Sequence, residues 1–453
     1  MNSAAPPRPR AHPVLGSTLD LRRSQVTTYE RMMRQHGDVV RLAVGPPGLR
    51  FELYCVFHPD GVRDVLTGSR ESYSKATRGF RQIAETFGWG LLTSEGELWQ
   101  HQRRLVQPLF TRKQIASYAE LMAQEAIAVA RCWEPVARDG GGVDANAEMV
   151  QFALRVVGRG IFGDDVTKAS AVLDAGFAQL NRHMFRRMTS PVASPASWPT
   201  PGNRRAARAR RAVYAVVDEL IAKRARTGAD GADLLSRLLG AHHPQTGAPM
   251  DRQQVRDEAL IFLLAGHETT STALTFTLHL LGCHPNEQRF VQDEIDAVLD
   301  GRTPTAADAA ALQRTAMAIK EAMRLYPPAF AIGRRAEVER EIGGYVIPAR
   351  SHVVVSQFAT HRHPEFWEDA EAFEPARFAP DREAARHRFA YFPFGGGPRA
   401  CIGSQFAMLE ATIAIAVLLQ RFSVHSEHGA VPLDTHGITL RPRGPVPIQL
   451  TPR

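Results

Sequence analysis

Apolar residues recur at intervals of three and four from Leu92 to about residue 224, and again from Asp251 to Gly282. That spacing places them on one helix face. Two breaks interrupt the first stretch. One is Asp139-Gly140-Gly141-Gly142; the other, Thr189 to Asn203, holds four Pro and reads as a mobile surface loop. Asp251 is a candidate N-cap, and Gln254 stands three residues on, as in a capping box. Further helices are predicted over 25–35, over 285–299, up to Leu325 before Pro327-Pro328, and from about Gly403 to Phe422. Strand character is confined to short pieces. Val39–Val44 and 50–56 form a hairpin across Gly45-Pro46-Pro47-Gly48, and 341–357 turns at Gly343-Gly344. A last hairpin is expected from 438–440 and 446–450 around Arg443-Gly444-Pro445. The first 16 residues, rich in Pro and Arg, should be extended. The expectation is a Pro-rich extended segment over 1–24 and one domain over 25–453, mainly α with small segregated β-sheets.

The formal net charge of +8 allows nucleic acid, an anionic membrane or an acidic protein as partner. No run of four basic residues and no nucleic-acid-binding motif accompanies it, so nucleic acid is not expected. The four cysteines, Cys55, Cys132, Cys283 and Cys401, are scattered, which argues against a disulfide framework or a zinc cluster and fits a reducing compartment. No apolar leader and no run of 18 apolar residues is found, so a cytoplasmic protein without a membrane anchor is expected.

The chemistry gathers at Phe394-Gly395-Gly396-Gly397-Pro398-Arg399-Ala400-Cys401-Ile402-Gly403. A Gly-rich loop allows close approach of backbone to a flat ligand. Cys401 ends that loop at the start of a predicted helix, where an anion is favoured, so its thiol should ionise readily. Taken alone, a lone Cys is a buried free thiol. Five residues at fixed spacing say more: the segment resembles the haem-binding loop of the cytochrome P-450 superfamily, Phe-x-x-Gly-x-Arg-x-Cys-x-Gly, at Phe394, Gly397, Arg399, Cys401 and Gly403. The resemblance implies haem b (iron protoporphyrin IX), with Cys401 as axial thiolate and Arg399 on a propionate. It also implies the family fold, with haem between the long central helix and the Cys loop and final helix.

Three further segments carry the resemblance. Ala265-Gly266-His267-Glu268-Thr269-Thr270 lies mid-way along the longest predicted helix, where Gly and Thr are poor helix formers. By itself it is a kinked core helix; in the family, Glu268 and Thr269 fall where an acid and a hydroxyl organise proton delivery, and Ala265 faces the haem. His267 reads as a hydrogen-bonded neighbour, not an iron ligand. Glu321-Ala322-Met323-Arg324 alone is a surface salt bridge; the family closes this pair into a buried triad, here with Arg377, although Ala376 stands where many relatives have Glu. Trp99 and Arg103, one helical turn apart, and Arg334 match propionate-binding positions, with Arg335 beside the last as a competitor.

The resemblance implies a monooxygenase that inserts one atom of O2 into a hydrophobic small molecule by hydroxylation or epoxidation. The substrate expected is a terpene, a polyketide or a fatty acyl chain, held by Phe80, Phe87, Trp89, Leu91, Met184, Leu264, Ala265, Phe330, Ile332 and Ile438. Those side chains would equally serve as core. Electrons would come from an acidic ferredoxin and its reductase, with Arg104, Arg112 and Lys113 as contacts. Arg204, Arg205, Arg208, Arg210 and Arg211 form a solvated helix face or a dock for an acidic carrier protein. A peroxide-driven or electron-independent haem-thiolate enzyme and a non-catalytic haem protein remain alternatives.

Overall fold

The computed structural model describes residues 5–190, 195, 197–227, 233–242, 247 and 249–453. The loop expected over 189–203 falls partly among these, and its residues 191–194 and 196 lie outside them.

The helix Arg252–Cys283, the central helix below, is the spine. From Leu263 to Cys283 nearly every residue is buried, on all sides of the helix, which marks it as a core helix. The helix Ala145–Val156 and a single π turn over Val157–Ile161 pack along it. Gly266 is explained there: a Cβ at that position would lie 2.6 Å from Val157 Cγ2. The final helix, Ser404–Arg421, packs against Ala119–Arg138 and closes the other side of the core. Pro285–Leu299 and Gln313–Leu325 form where their periodicity predicts.

The sheets stand apart from this helical body. The five-stranded sheet runs, in spatial order, Val39–Val44, Phe51–Val56, His352–Val355, Ile332–Ala336 and Tyr73–Ser74. Its first pair is the expected hairpin, with Val39 opposite Val56 and Val44 opposite Phe51. Arg340–Ile342 pairs with Tyr345–Ile347 around the two glycines.

Three expectations are corrected. Thr18–Arg23 is a short helix, so the segment to residue 24 is not extended throughout. Its start is also tied to the body, since Arg41 N donates to Pro7 O at 3.0 Å. Asp251 sits at the N-cap of the central helix but makes no side-chain cap, and no capping box forms. Gln254 instead donates to Trp89 O at 2.9 Å, a long-range carbonyl outcompeting the local partner. The last hairpin does not form either. Pro447–Pro452 is clasped between Gly142–Asp144 and Phe422–His425, while Arg441–Pro442 pairs with Leu433–Asp434. Pairing with two distant strands satisfies more backbone groups than a local turn could.

Candidate active site

A cavity of about 550 Å³ lies between the central helix and the loop that carries Cys401. Its floor is the glycine loop. Cys401 N donates to Phe394 O at 2.9 Å, which folds the loop back and turns the thiol toward the cavity. Gly397 has φ +64, and a Cβ there would lie 2.2 Å from Leu66 O, so only glycine fits. Cys55 and Cys283 are buried elsewhere and Cys132 is on the surface; Cys401 is the cysteine whose accessible face lines this cavity. That face meets the cavity and not bulk water. Burial therefore pushes the Cys401 thiol up, while the Gly403 N–H and Arg103 pull it down less strongly. The expectation of a readily ionised thiol is not met by the helix end alone.

One side of the cavity is a cage of cations. Arg103, Arg334 and Arg399 line it together with Lys75, which no motif in the sequence marks. The Arg399 guanidinium stacks on Trp99 at 3.9 Å from the ring centroid. Among the described residues each arginine hydrogen-bonds only to a carbonyl: Arg103 to Ala400 at 3.3 Å, Arg334 to Gly333 at 2.9 Å and Arg399 to Ser94 at 2.9 Å. Arg334 and Arg399 are each pushed down to about 10, chiefly by burial; Arg399 repels Arg334, and Arg103 repels Arg399. Lys75 is lowered further by burial and by the charges of Arg399 and Arg334. Glu95 is the carboxylate that opposes them. Such a cage is built for anions. Arg335, beside Arg334, is outside the cavity lining and pairs with Glu337 at 2.9 Å.

The ceiling is the middle of the central helix. Ala265, Gly266, Thr269 and Thr270 line the cavity. Thr269 Oγ1 donates to Ala265 O at 2.5 Å, one turn back. Glu268 does not line it. Its buried carboxylate accepts from Asn181 Nδ2 at 3.3 Å and from Arg441 Nη1 at 3.4 Å, behind the helix. Arg441 in turn pairs with Asp434 at 3.3 Å. His267 is buried, bonded to Leu263 O at 3.0 Å and packed on Phe177.

The family model described as cytochrome P450 matches residues 6–450. The chain belongs to the cytochrome P450 family.

Among relatives, a cyclooctat-9-en-7-ol 5-monooxygenase of Streptomyces melanosporofaciens is 35% identical over 100% of this chain and 98% of that protein. A cyclooctatin synthase of the same organism is 34% identical over 91% of this chain and 88% of the other. A pentalenene oxygenase of Streptomyces avermitilis is 34% identical over 93% and 92%. The solved haem domain of cytochrome P450DA superposes with a TM-score of 0.88 at 27% identity, covering 99% of this chain and 98% of that one. The protein is thus a haem-thiolate cytochrome P450 monooxygenase, acting on a small molecule with O2. The cavity of this P450 fits such a group: a thiol on its floor, apolar walls, and on one side four cations that face the single opposing carboxylate of Glu95 and make no ion pair among the described residues, which suits a dianion.

Seven of the expected pocket residues, Phe80, Leu91, Leu264, Ala265, Phe330, Ile332 and Ile438, line the cavity. Three do not. Phe87 is fully buried against Phe177 and Met184 is fully buried in the core, whereas Trp89 is 51% exposed on the surface. The loop over 88–92 explains this. Trp89 N donates to Asp257 Oδ2 at 2.8 Å and Leu91 N to Glu258 Oε2 at 3.0 Å, while Trp89 O accepts from Gln102 and Gln254. These bonds turn Leu91 inward and Trp89 outward. Among the described residues no helix is long and apolar enough to cross a membrane.

Glu258 carries a consequence for stability. Burial pushes its carboxyl from 4.5 up to about 8, with the Leu91 N–H opposing. The folded state therefore keeps a proton that the unfolded chain releases. Its contribution is fully present below about 4.5 and is lost as pH rises toward about 8. Glu258→Gln keeps the acceptor and removes the titration. It should stabilise the fold at pH 8 relative to pH 5, by at most about 1.4 kcal/mol per pH unit of that window. Denaturant unfolding of both proteins at the two pH values checks this; an equal difference at both would show that Glu258 ionises normally.

Proposed function

We propose that this P450 hydroxylates or epoxidises an apolar terpenoid. The observation that carries the reading is the single cavity joining the Cys401 thiol to Thr269 between walls of Phe80, Leu91, Phe330, Ile332 and Ile438. Three relatives named for cyclooctatin and pentalenene chemistry support a terpenoid framework. In this reading the cofactor is haem b, and Cys401 is its thiolate ligand. Phe394, Gly397 and Gly403 shape the loop, and Ala265 leaves room above it. Trp99, Arg103, Arg334 and Arg399, with Lys75, hold the two carboxylates. The bound haem supplies reductive activation of O2.

The protein's own residues hold the substrate away from water and manage the proton. Thr269 holds a hydroxyl at the cavity wall, and Glu268 stores charge behind it, steadied by Asn181 and Arg441. An acidic ferredoxin with its reductase is the proposed electron source. Arg104, Arg112 and Lys113 are exposed beside Gln107–Phe110, whose Phe110 packs on Phe406 of the final helix. Arg204, Arg205, Arg208, Arg210 and Arg211 are all exposed on Pro201–Thr227, as a solvated face or a carrier-protein dock requires. A cytoplasmic location completes the reading.

Thr269→Ala should leave substrate affinity and haem content near wild type while the product formed per reductant consumed falls about a hundredfold, the lower end of a general-acid contribution. Released hydrogen peroxide should rise in proportion. A peroxide-driven enzyme is the second reading, favoured by one observation: Glu268 is turned away from the cavity. Unchanged coupling in Thr269→Ala, with turnover supported by added peroxide, would favour that reading.

A further inference from the structure

Three non-glycine residues among those described have positive φ: Asp300 at 45°, Arg350 at 65° and Asp369 at 43°. Aspartate tolerates this conformation because its short side chain bonds locally. Arginine gains nothing from it, and a glycine would sit there without strain. Arg350 is held in place by its N–H, which donates to Ala336 O at 2.6 Å. A strained backbone under a long cationic side chain asks what the side chain does.

Arg350 lines a second pocket, of about 450 Å³, with Arg78, Arg81, Arg335, His352 and Glu85. Arg78 and His352 also line the main cavity, so the two spaces adjoin. The charges here are unbalanced. Arg335 is paired with Glu337. Glu85, the carboxylate in the lining, lies 3.8 Å from Arg187, which is not a lining residue. Arg78 donates to the carbonyls of Arg187, at 3.2 Å, and Ser190, not to a carboxylate. No carboxylate lies within ion-pair distance of Arg78, Arg81 or Arg350 among the described residues. His352 is lowered by burial, then by Arg335 and Arg78, as expected where positive charge accumulates.

We propose that this pocket binds the anionic head, a carboxylate or diphosphate, of an amphiphile whose apolar tail enters the main cavity. Guanidinium groups suit both anions because their planar N–H pairs match two oxygens at once. Arg350, whose charge reaches Glu337 only from beyond ion-pair distance, and Arg81 make no ion pair among the described residues, and Arg78 stands at the junction of the two spaces. The tail's placement rests on the monooxygenase reading; the anion pocket does not.

The test uses the haem-loaded protein and isothermal titration with farnesol, farnesoic acid, farnesyl diphosphate and inorganic diphosphate. The variants are Arg350→Gly, which relaxes the turn and keeps the fold, and Arg81→Gln. Farnesoic acid or farnesyl diphosphate should bind wild type about tenfold tighter than farnesol, as one charge-assisted contact gives. Arg350→Gly should lose most of that gain while its affinity for farnesol and its melting temperature hold. If inorganic diphosphate alone binds as tightly as farnesyl diphosphate, and Arg350→Gly abolishes it, the anion pocket stands and a free anion is its source. If no anion binds better than farnesol, or the gain survives in both variants, the proposal fails. If farnesol does not bind but diphosphate does, the terpenoid reading fails and the pocket survives.

Discussion

Cys401→Ser should give a folded protein whose reduced carbon-monoxide complex lacks the red-shifted Soret band. The loop that carries residue 401 is shaped by its backbone: Cys401 N bonds to Phe394 O, and Gly397 is wedged against Leu66 O. None of this depends on sulfur, so the substitution leaves the floor of the cavity in place. The cation cage of Lys75, Arg103, Arg334 and Arg399 is also untouched, and part of the haem should be retained through it. If Cys401 is the proposed ligand, the change removes the thiolate and its electron donation to a bound iron, so monooxygenation should be lost. Burial holds the Cys401 thiol above its ordinary range, so a bound iron would have to favour the thiolate. A serine hydroxyl is far harder to ionise. A mutant with the red-shifted band at full intensity would mean that another group ligates the iron, and the assignment of Cys401 would be wrong.

The parts of the site that lie close together along the chain are legible in the amino-acid sequence. The Cys loop and the Ala265–Thr270 turn each place several diagnostic residues on one local element, whose geometry the chain fixes by itself. The groups that complete them come from far away. Asn181 and Arg441 reach Glu268 across 87 and 173 residues, and no local pattern marks either one. Lys75 joins the cation cage from just after the two-residue edge strand Tyr73–Ser74, with no motif around it. Periodicity finds the apolar face of a helix but not which apolar residues border a void. Phe80 and Phe87 are two turns apart on one helix; Phe80 lines the cavity and Phe87 is core. The loop over 88–92 escapes a sequence-based expectation for a related reason. Its direction is set by Asp257 and Glu258 on the central helix, not by its own side chains. The expected terminal hairpin is absent because strand partners are chosen by global pairing, which a turn signal alone does not control.

Arg324→Ala should be among the most destabilising single changes in this protein. A Glu-x-x-Arg pair on a helix is an ordinary surface contact in sequence terms, yet here both side chains are 0% exposed. Arg324 uses all five of its N–H donors. Nε and Nη2 bind the two oxygens of Glu321 at 2.7 and 2.8 Å, and the other three reach the carbonyls of His361, Ala370 and Ala372. Arg377 approaches Glu321 from the other side at 3.4 Å, and Glu374, not residue 376, supplies a second carboxylate to Arg377 at 3.1 Å. One side chain therefore ties the helix Gln313–Leu325 to the irregular chain over 361–378. Truncating it strands a buried carboxylate and three carbonyls, a loss of roughly 3–5 kcal/mol for the broken ion pair before the carbonyls are counted. Arg324→Lys should recover part of this, since an ammonium can reach one carboxylate oxygen but cannot span the three carbonyls. The measurement is denaturant unfolding together with haem retention after gel filtration, for both variants. Arg324→Ala protein with wild-type stability and full haem content would show that the network is dispensable, and that the segment over 361–378 is held by its aromatic packing around Trp367 instead.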